Sequence, residues 1–150
     1  ESSPLCTGAG GATPLGPMMY EGSATGGAYV RYERPDESSR ILLTVAPVTD
    51  APDLVADAQT AIAGCTTGAQ AATVLAWEPL GDGSLAFSLS LTDGTTSQSA
   101  IFVIARIGEV VVALNLQSYS AEGQALAPAP TEAEVQSFVG TVLAGVTALG

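Results

Sequence analysis

The chain has 150 residues, with 15 Asp or Glu, four Arg, no Lys and no His, and its formal net charge is −11. This charge argues against nucleic-acid binding, because nucleic acids are bound chiefly through Lys and Arg. The absence of His excludes Ser–His and Cys–His catalysis, and the length suits a single domain.

The first 26 residues are rich in Gly, Ser, Pro and Thr without sustained periodicity. We therefore predict a loop-rich segment over 1–26 that packs on one sensor-like domain spanning 27–150. In the domain, apolar and charged residues alternate from about 27 to 34, which is typical of a strand. A turn over 35–39 leads to a second, antiparallel strand over 40–48.

A first helix is predicted after Asp50, a residue suited to capping a helix N-terminus, with Pro52 in the first turn. Its apolar stripe at helical spacing consists of Leu54, Val55, Ala58, Ile62 and Cys65. The next strand is predicted over 73–79 and carries Trp77.

Residues 84–118 predict three consecutive antiparallel strands, separated by turns at Asp93-Gly94 and Gly108-Glu109. A two-residue loop at Gly108-Glu109 places Ile101, Val103, Ala105 and Ile107 on one apolar face with Val110, Val112, Leu114 and Leu116. Leu85, Phe87 and Leu89 can join that face if the loop between the first and second of these strands holds three residues, 93–95. We therefore predict that Phe87 pairs with Ile101.

The last helix is predicted to begin at Thr131, which forms a capping box with Glu134. The predicted order is β-β-α-β-β-β-β-α, an α+β domain in which two helices pack on an antiparallel sheet of about six strands.

The three strands over 84–118 form a meander. Its second face, opposite the apolar one, mixes apolar and polar residues, as ligand pockets do. The candidate ligand-binding residues are Phe102, Arg106, Asn115, Ser88 and Trp77. Arg106 offers a planar fork to a carboxylate or phosphate, or else reaches solvent or pairs with Glu109. Two other interpretations remain open: a partly solvated face, or one covered by the N-terminal segment. Clefts near Tyr29, Tyr32 and Trp77 are alternative sites.

The two cysteines, Cys6 and Cys65, have no Cys or His neighbours at zinc-site spacing. The acidic stretches at Asp82, at Asp93 and over 132–134 lack the ligand density of a calcium loop and are interpreted as turn or capping residues, so we expect no metal and no cofactor. A Cys6–Cys65 disulfide is the preferred interpretation, and two buried free thiols are the alternative. A disulfide implies export. Since neither a signal peptide nor a spanning segment is evident, we expect a mature or recombinant ectodomain.

Residues 55–65, 77–85 and 105–114, followed by a capped terminal helix, resemble in that order the actinobacterial PknH-like extracellular sensor domains. The resemblance covers residues 27–149 and implies an α+β, disulfide-stapled domain with a cleft beside its sheet. Proteins of this family are secreted, lipid-anchored or receptor-kinase ectodomains, and no catalytic residue carries over. This chain has one possible disulfide where the mycobacterial kinase domain has two.

The sequence therefore favours a non-catalytic, extracytoplasmic ligand-binding or sensor-type domain that is not an enzyme. Its expected partner is an unknown small molecule, lipid or envelope component, not a nucleic acid, and the chain is expected to be a monomer or weak homodimer. One alternative is a cell-envelope protein-interaction or structural module. A carboxylate-dependent hydrolase is another.

Overall fold

The computed structural model describes residues 28–35, 38–50, 52–63, 72–93, 96–120 and 130–149. The strands are β1 (Ala28–Glu33), β2 (Ser39–Pro47), β3 (Ala72–Leu75), β4 (Gly83–Asp93), β5 (Thr96–Ile107) and β6 (Val110–Ser120). The helices are α1 (Leu54–Ala63), preceded by a 3₁₀ turn over Val48–Asp50, and α2 (Glu132–Leu149).

All six strands form one antiparallel sheet in the order β1-β2-β6-β5-β4-β3. This arrangement confirms the predicted α+β class and element order. The pairing of β5 with β6 also follows the prediction, with Ile107 opposite Val110 and Val103 opposite Leu114. The pairing of β2 with β6 was not predicted from the sequence. It places the β1–β2 hairpin next to β6, at the edge of the meander opposite to β3.

The two helices pack on opposite faces of the sheet. On the α1 face, Leu54, Ala58 and Ile62 of the helix pack with Ala46, Leu85, Phe87, Phe102, Ile104, Val111 and Ala113. On the α2 face, Val135 and Val139 pack with Leu43, Ala86, Ile101, Val103, Val112 and Leu114. Both faces of the central strands are therefore apolar and buried.

The predicted register of β4 is wrong by one residue. Phe87 lies opposite Phe102, Leu85 lies opposite Ile104, and the ladder runs on to Asp93 opposite Thr96, so two residues separate the strands. The prediction assumed a single buried face for the meander, but a sheet covered by helices on both sides needs apolar residues on both. In the observed register the rings of Phe87 and Phe102 stack, with centroids 5.0 Å apart.

Two predicted boundaries also shift. β3 ends at Leu75, so Trp77 follows the strand, and its side chain packs with the α2-face cluster. α1 begins at Leu54, after a separate 3₁₀ turn that contains Asp50. The proposed N-terminal segment and the Cys6–Cys65 disulfide lie outside the described residues.

A hydrogen-bonded turn joins the start of β4 to the β5–β6 hairpin. The Asp82 N–H donates to the Arg106 carbonyl (2.8 Å), and Asp82 Oδ2 accepts from the Gly108 N–H (2.8 Å). Gly81 has a φ of 58°, and a Cβ there would lie 2.5 Å from the Arg106 carbonyl oxygen. Glycine is therefore required at this close approach.

The predicted capping box of α2 is confirmed. Glu134 Oε2 accepts from the Thr131 backbone N–H (2.8 Å), and the Thr131 hydroxyl accepts from the Glu134 N–H (3.3 Å). Also in the first turn, two residues before Glu134, Glu132 Oε1 accepts from the Glu78 N–H (2.7 Å) and from Gln136 Nε2 (2.9 Å). The first turn of α2 is therefore tied to the segment between β3 and β4.

Candidate functional site

The structure divides the ligand-binding residues predicted from the sequence between two faces. Phe102, Asn115 and Arg106 share one face of the sheet, as predicted, with Phe102 opposite Asn115, and the structure shows that this is the α1 face. Ser88 lies opposite Ile101 on the other face, where Trp77 also packs. The five residues therefore do not form one constellation.

Phe102 is also covered. It is 1% exposed, and it packs against Phe87 within the cluster that α1 closes. Arg106 is exposed at the end of β5, beside the hairpin turn. This geometry assigns Phe102 to the core and leaves Arg106 away from the buried polar groups on the same face.

A cluster of charged and polar side chains lies on the α1 face at the β1–β2–β6 side of the sheet. We call it the arginine cluster, and its members are Arg31, Glu33, Arg40, Gln117 and Tyr119. The register sets them together, because Glu33 lies opposite Arg40 and Arg40 lies opposite Gln117. α1 has its main contacts over β4 and β5, so this cluster lies beside the area that the helix covers.

The Glu33 carboxylate bridges two guanidinium groups. Arg31 Nη2 donates to Glu33 Oε2 (2.7 Å), and Arg40 Nη2 donates to Glu33 Oε1 (3.1 Å). The Arg40 and Glu33 side chains are each 31% exposed, and Arg31 is 50% exposed. The Arg40 and Arg31 hydrogen bonds lower the pKa of the Glu33 carboxyl, since they favour its charged form.

Aromatic and amide groups complete the cluster on its inner side. The Arg40 guanidinium lies 6.0 Å from the centroid of the Tyr119 ring, within the range of a cation–π contact. The Tyr119 hydroxyl donates to Gln117 Oε1. Gln117 is buried, and Asn115 and Thr44 continue a row of buried polar residues along the same face. Such polar groups on a largely apolar face can orient a ligand.

The charge of the chain is unevenly distributed around this site. Residues 28–47 carry three arginines against Glu33, Asp36 and Glu37, so their formal charge is zero. The remaining residues carry 12 acids and one arginine, which accounts for the whole net charge of −11. An anion at the arginine cluster is therefore repelled less by the neighbouring residues 28–47 than it would be by the acidic remainder of the chain.

The sequence contained a signal for this cluster. Arg31 and Glu33 alternate with apolar residues in the predicted first strand, and a short turn brings the second strand back with Arg40 near its start. A cross-strand pair between Glu33 and Arg40 follows from that hairpin. The contribution of Gln117 and Tyr119 could not be anticipated, because it depends on β6 pairing with β2.

Within the described ranges, no group of three or more His, Cys, Asp or Glu residues is arranged to hold a metal ion. No protein-family model matches the chain, and no curated protein matches it significantly. In the part of the chain that the structure describes, neither helix is long and apolar enough to cross a membrane.

Proposed function

We propose that this protein is a non-catalytic, extracytoplasmic ligand-binding domain of the sensor type, and that its ligand binds at the arginine cluster. The observation that carries the proposal is the pairing of Arg40 with Tyr119 and Glu33 beside the buried amide of Gln117. A guanidinium fork, an aromatic face and amide groups together offer the few convergent polar contacts that a small-molecule site needs.

The proposed location rests on the sequence rather than on the site. Cys6 and Cys65 are suited to a disulfide, and disulfides persist outside the reducing cytoplasm. The resemblance of residues 27–149 to extracellular sensor domains supports the same location. Mass spectrometry of the purified chain with and without reductant tests the bond, and two alkylatable thiols in the unreduced chain would contradict it.

A thermal-shift screen with cell-wall fragments, lipids and small organic acids tests ligand binding. We expect a compound that raises the melting temperature of the wild type and of Arg106→Gln, but not of Arg40→Gln. The two variants remove the same charge, and Arg106 lies away from the cluster, so the comparison separates local contacts from overall electrostatics. A panel without any shift would contradict the proposed function, and a shift retained in Arg40→Gln would contradict the site.

A second candidate function is a protein-interaction module of the cell envelope. Tyr32 on β1 is 60% exposed and Val74 on β3 is 57% exposed, and these strands form the two edges of the described sheet. Edge strands present backbone groups that can pair with another chain. Light scattering after size exclusion tests this function: a stable dimer dissociated by Tyr32→Ser would favour it over small-molecule binding.

A further inference from the structure

We propose that the ligand of the arginine cluster carries a carboxylate, and that Glu33 is a built-in competitor which that carboxylate displaces. This inference rests on the proposed function and specifies the ligand's chemistry. It begins from the two guanidinium groups, because both already hold one carboxylate through separate nitrogen donors at 2.7 and 3.1 Å. The site thus has the spacing of donors that a bridging carboxylate requires.

The hydrogen-bonding capacity of the Arg40 guanidinium is not fully used in this arrangement. Nη2 donates to Glu33, whereas Nε is buried and has no hydrogen-bond partner among the described residues. A buried donor without a partner is unfavourable. A ligand carboxylate placed by a small rotation of the guanidinium could accept from Nε and Nη2 together, and this bidentate geometry is the preferred mode for arginine and carboxylate.

Glu33 can leave the site at little cost. Its carboxylate is partly exposed and lies at the end of β1, an edge strand bonded to β2 alone in the described sheet. Ion pairs between partly exposed groups contribute little net stability, because water solvates both partners when they separate. Arg31 and Arg40 then present a net charge of +2 to an incoming anion, where Glu33 had reduced it to +1.

The test is a titration of the isotope-labelled 150-residue chain with succinate at constant ionic strength, in which binding is measured from the amide chemical shifts. Wild type, Glu33→Gln, Arg40→Gln and Arg106→Gln are compared. We expect saturable shifts at β1, β2 and β6 in the wild type and about fivefold tighter binding in Glu33→Gln, since the competing charge is gone. Arg40→Gln should show no saturation, and Arg106→Gln should bind as the wild type does.

Two results would overturn the inference: Glu33→Gln binding succinate no more tightly than the wild type, or Arg40→Gln binding it equally well. Inorganic phosphate serves as the comparison anion, and saturation by phosphate with none by succinate would also overturn it. The proposed function has a separate test in the thermal-shift screen. If an uncharged ligand binds and requires Arg40, the proposed function stands, but the inference that the ligand carries a carboxylate is refuted.

Discussion

The rings of Phe87 and Phe102 lie nearly parallel across β4 and β5, with an interplanar angle of 17° and both side chains fully buried beneath α1. Their contact fixes the register of the two strands, because a shift of one residue would move Phe87 to the α2 face. The α1 face therefore depends on this pair for its packing.

Replacing Phe102 by Ala should lower the free energy of unfolding by about 3–5 kcal/mol, since it removes a buried ring and leaves a cavity beside Phe87. Urea denaturation followed by circular dichroism measures the change. Val74→Ala is the control, and its exposed side chain should make the effect smaller than about 0.5 kcal/mol. Equal effects of the two changes would contradict the described core.

Three glycine-to-alanine changes should differ in the sign and size of their effect on the free energy of unfolding. Gly140→Ala lies in α2 with open space around it, so it should stabilise the protein by about 0.5–1 kcal/mol. Gly108→Ala has space but a φ of 58°, and we expect a loss of about 1 kcal/mol. Gly81→Ala combines that φ with the collision at the Arg106 carbonyl and should destabilise most.

Thermal denaturation of the three glycine variants under one buffer condition gives the order directly. If Gly81→Ala proved as mild as Gly108→Ala, the close approach of the turn at residue 81 to β5 would be wrong.

The capping box should contribute a pH-dependent part of the stability. The Thr131 backbone N–H, and secondarily its hydroxyl, lower the pKa of the Glu134 carboxyl. The folded state therefore binds its proton less readily than the unfolded state, and the stabilisation is present above the unfolded pKa and lost as pH falls through the lowered one. Wild type should melt above Glu134→Gln at pH 7, and the difference should shrink below about pH 4.

Melting curves of both proteins between pH 7 and pH 3 provide the measurement. Glu33 has a lowered pKa as well, but it is present in both proteins and cancels in the difference. A difference that stays constant over this range would exclude the charged form of Glu134 as its source.

The link between Glu132 and Glu78 should control the mobility of the segment around Trp77, the chain's single tryptophan. Glu132→Ala removes the acceptor of the Glu78 N–H, so acrylamide should quench Trp77 fluorescence more strongly. Glu132→Gln retains an amide oxygen that can accept this hydrogen bond, and its quenching should remain near that of the wild type. Unchanged quenching in Glu132→Ala would show that the link does not restrain the segment.

The register of the β5–β6 hairpin could be predicted from the sequence. Its turn has two residues, and with that loop length the apolar residues of the two strands that alternate in sequence fall on one face. β4 could not be predicted in the same way. Leu85, Phe87 and Leu89 fit either apolar face, and only the positions of the helices decide between them. Alternation specifies a register where one face meets solvent, and it loses that power in a strand covered on both sides.

The candidate site was harder to predict than the fold. The sequence correctly predicted that Asn115 and Phe102 share a face, but α1 covers the phenylalanine and makes it part of the core. The arginine cluster combines β1 and β2 with β6, which lies about 70 residues further along the chain. Local patterns predict the Glu33–Arg40 pair, but they carry no information about which distant strand completes the surface.

The strand order also has a consequence for the course of folding. Among the described strands, the hairpin of β1 and β2 joins the sheet only through β6, and an isolated hairpin is marginally stable in water. We therefore expect β4, β5 and β6 to acquire protection first in pulse-labelling hydrogen exchange, and early protection of β2 would contradict this sequence of events. The surface formed by Arg40 and Tyr119 would then be the last part of the sheet to assemble, and the first to be lost when the edge of the sheet opens.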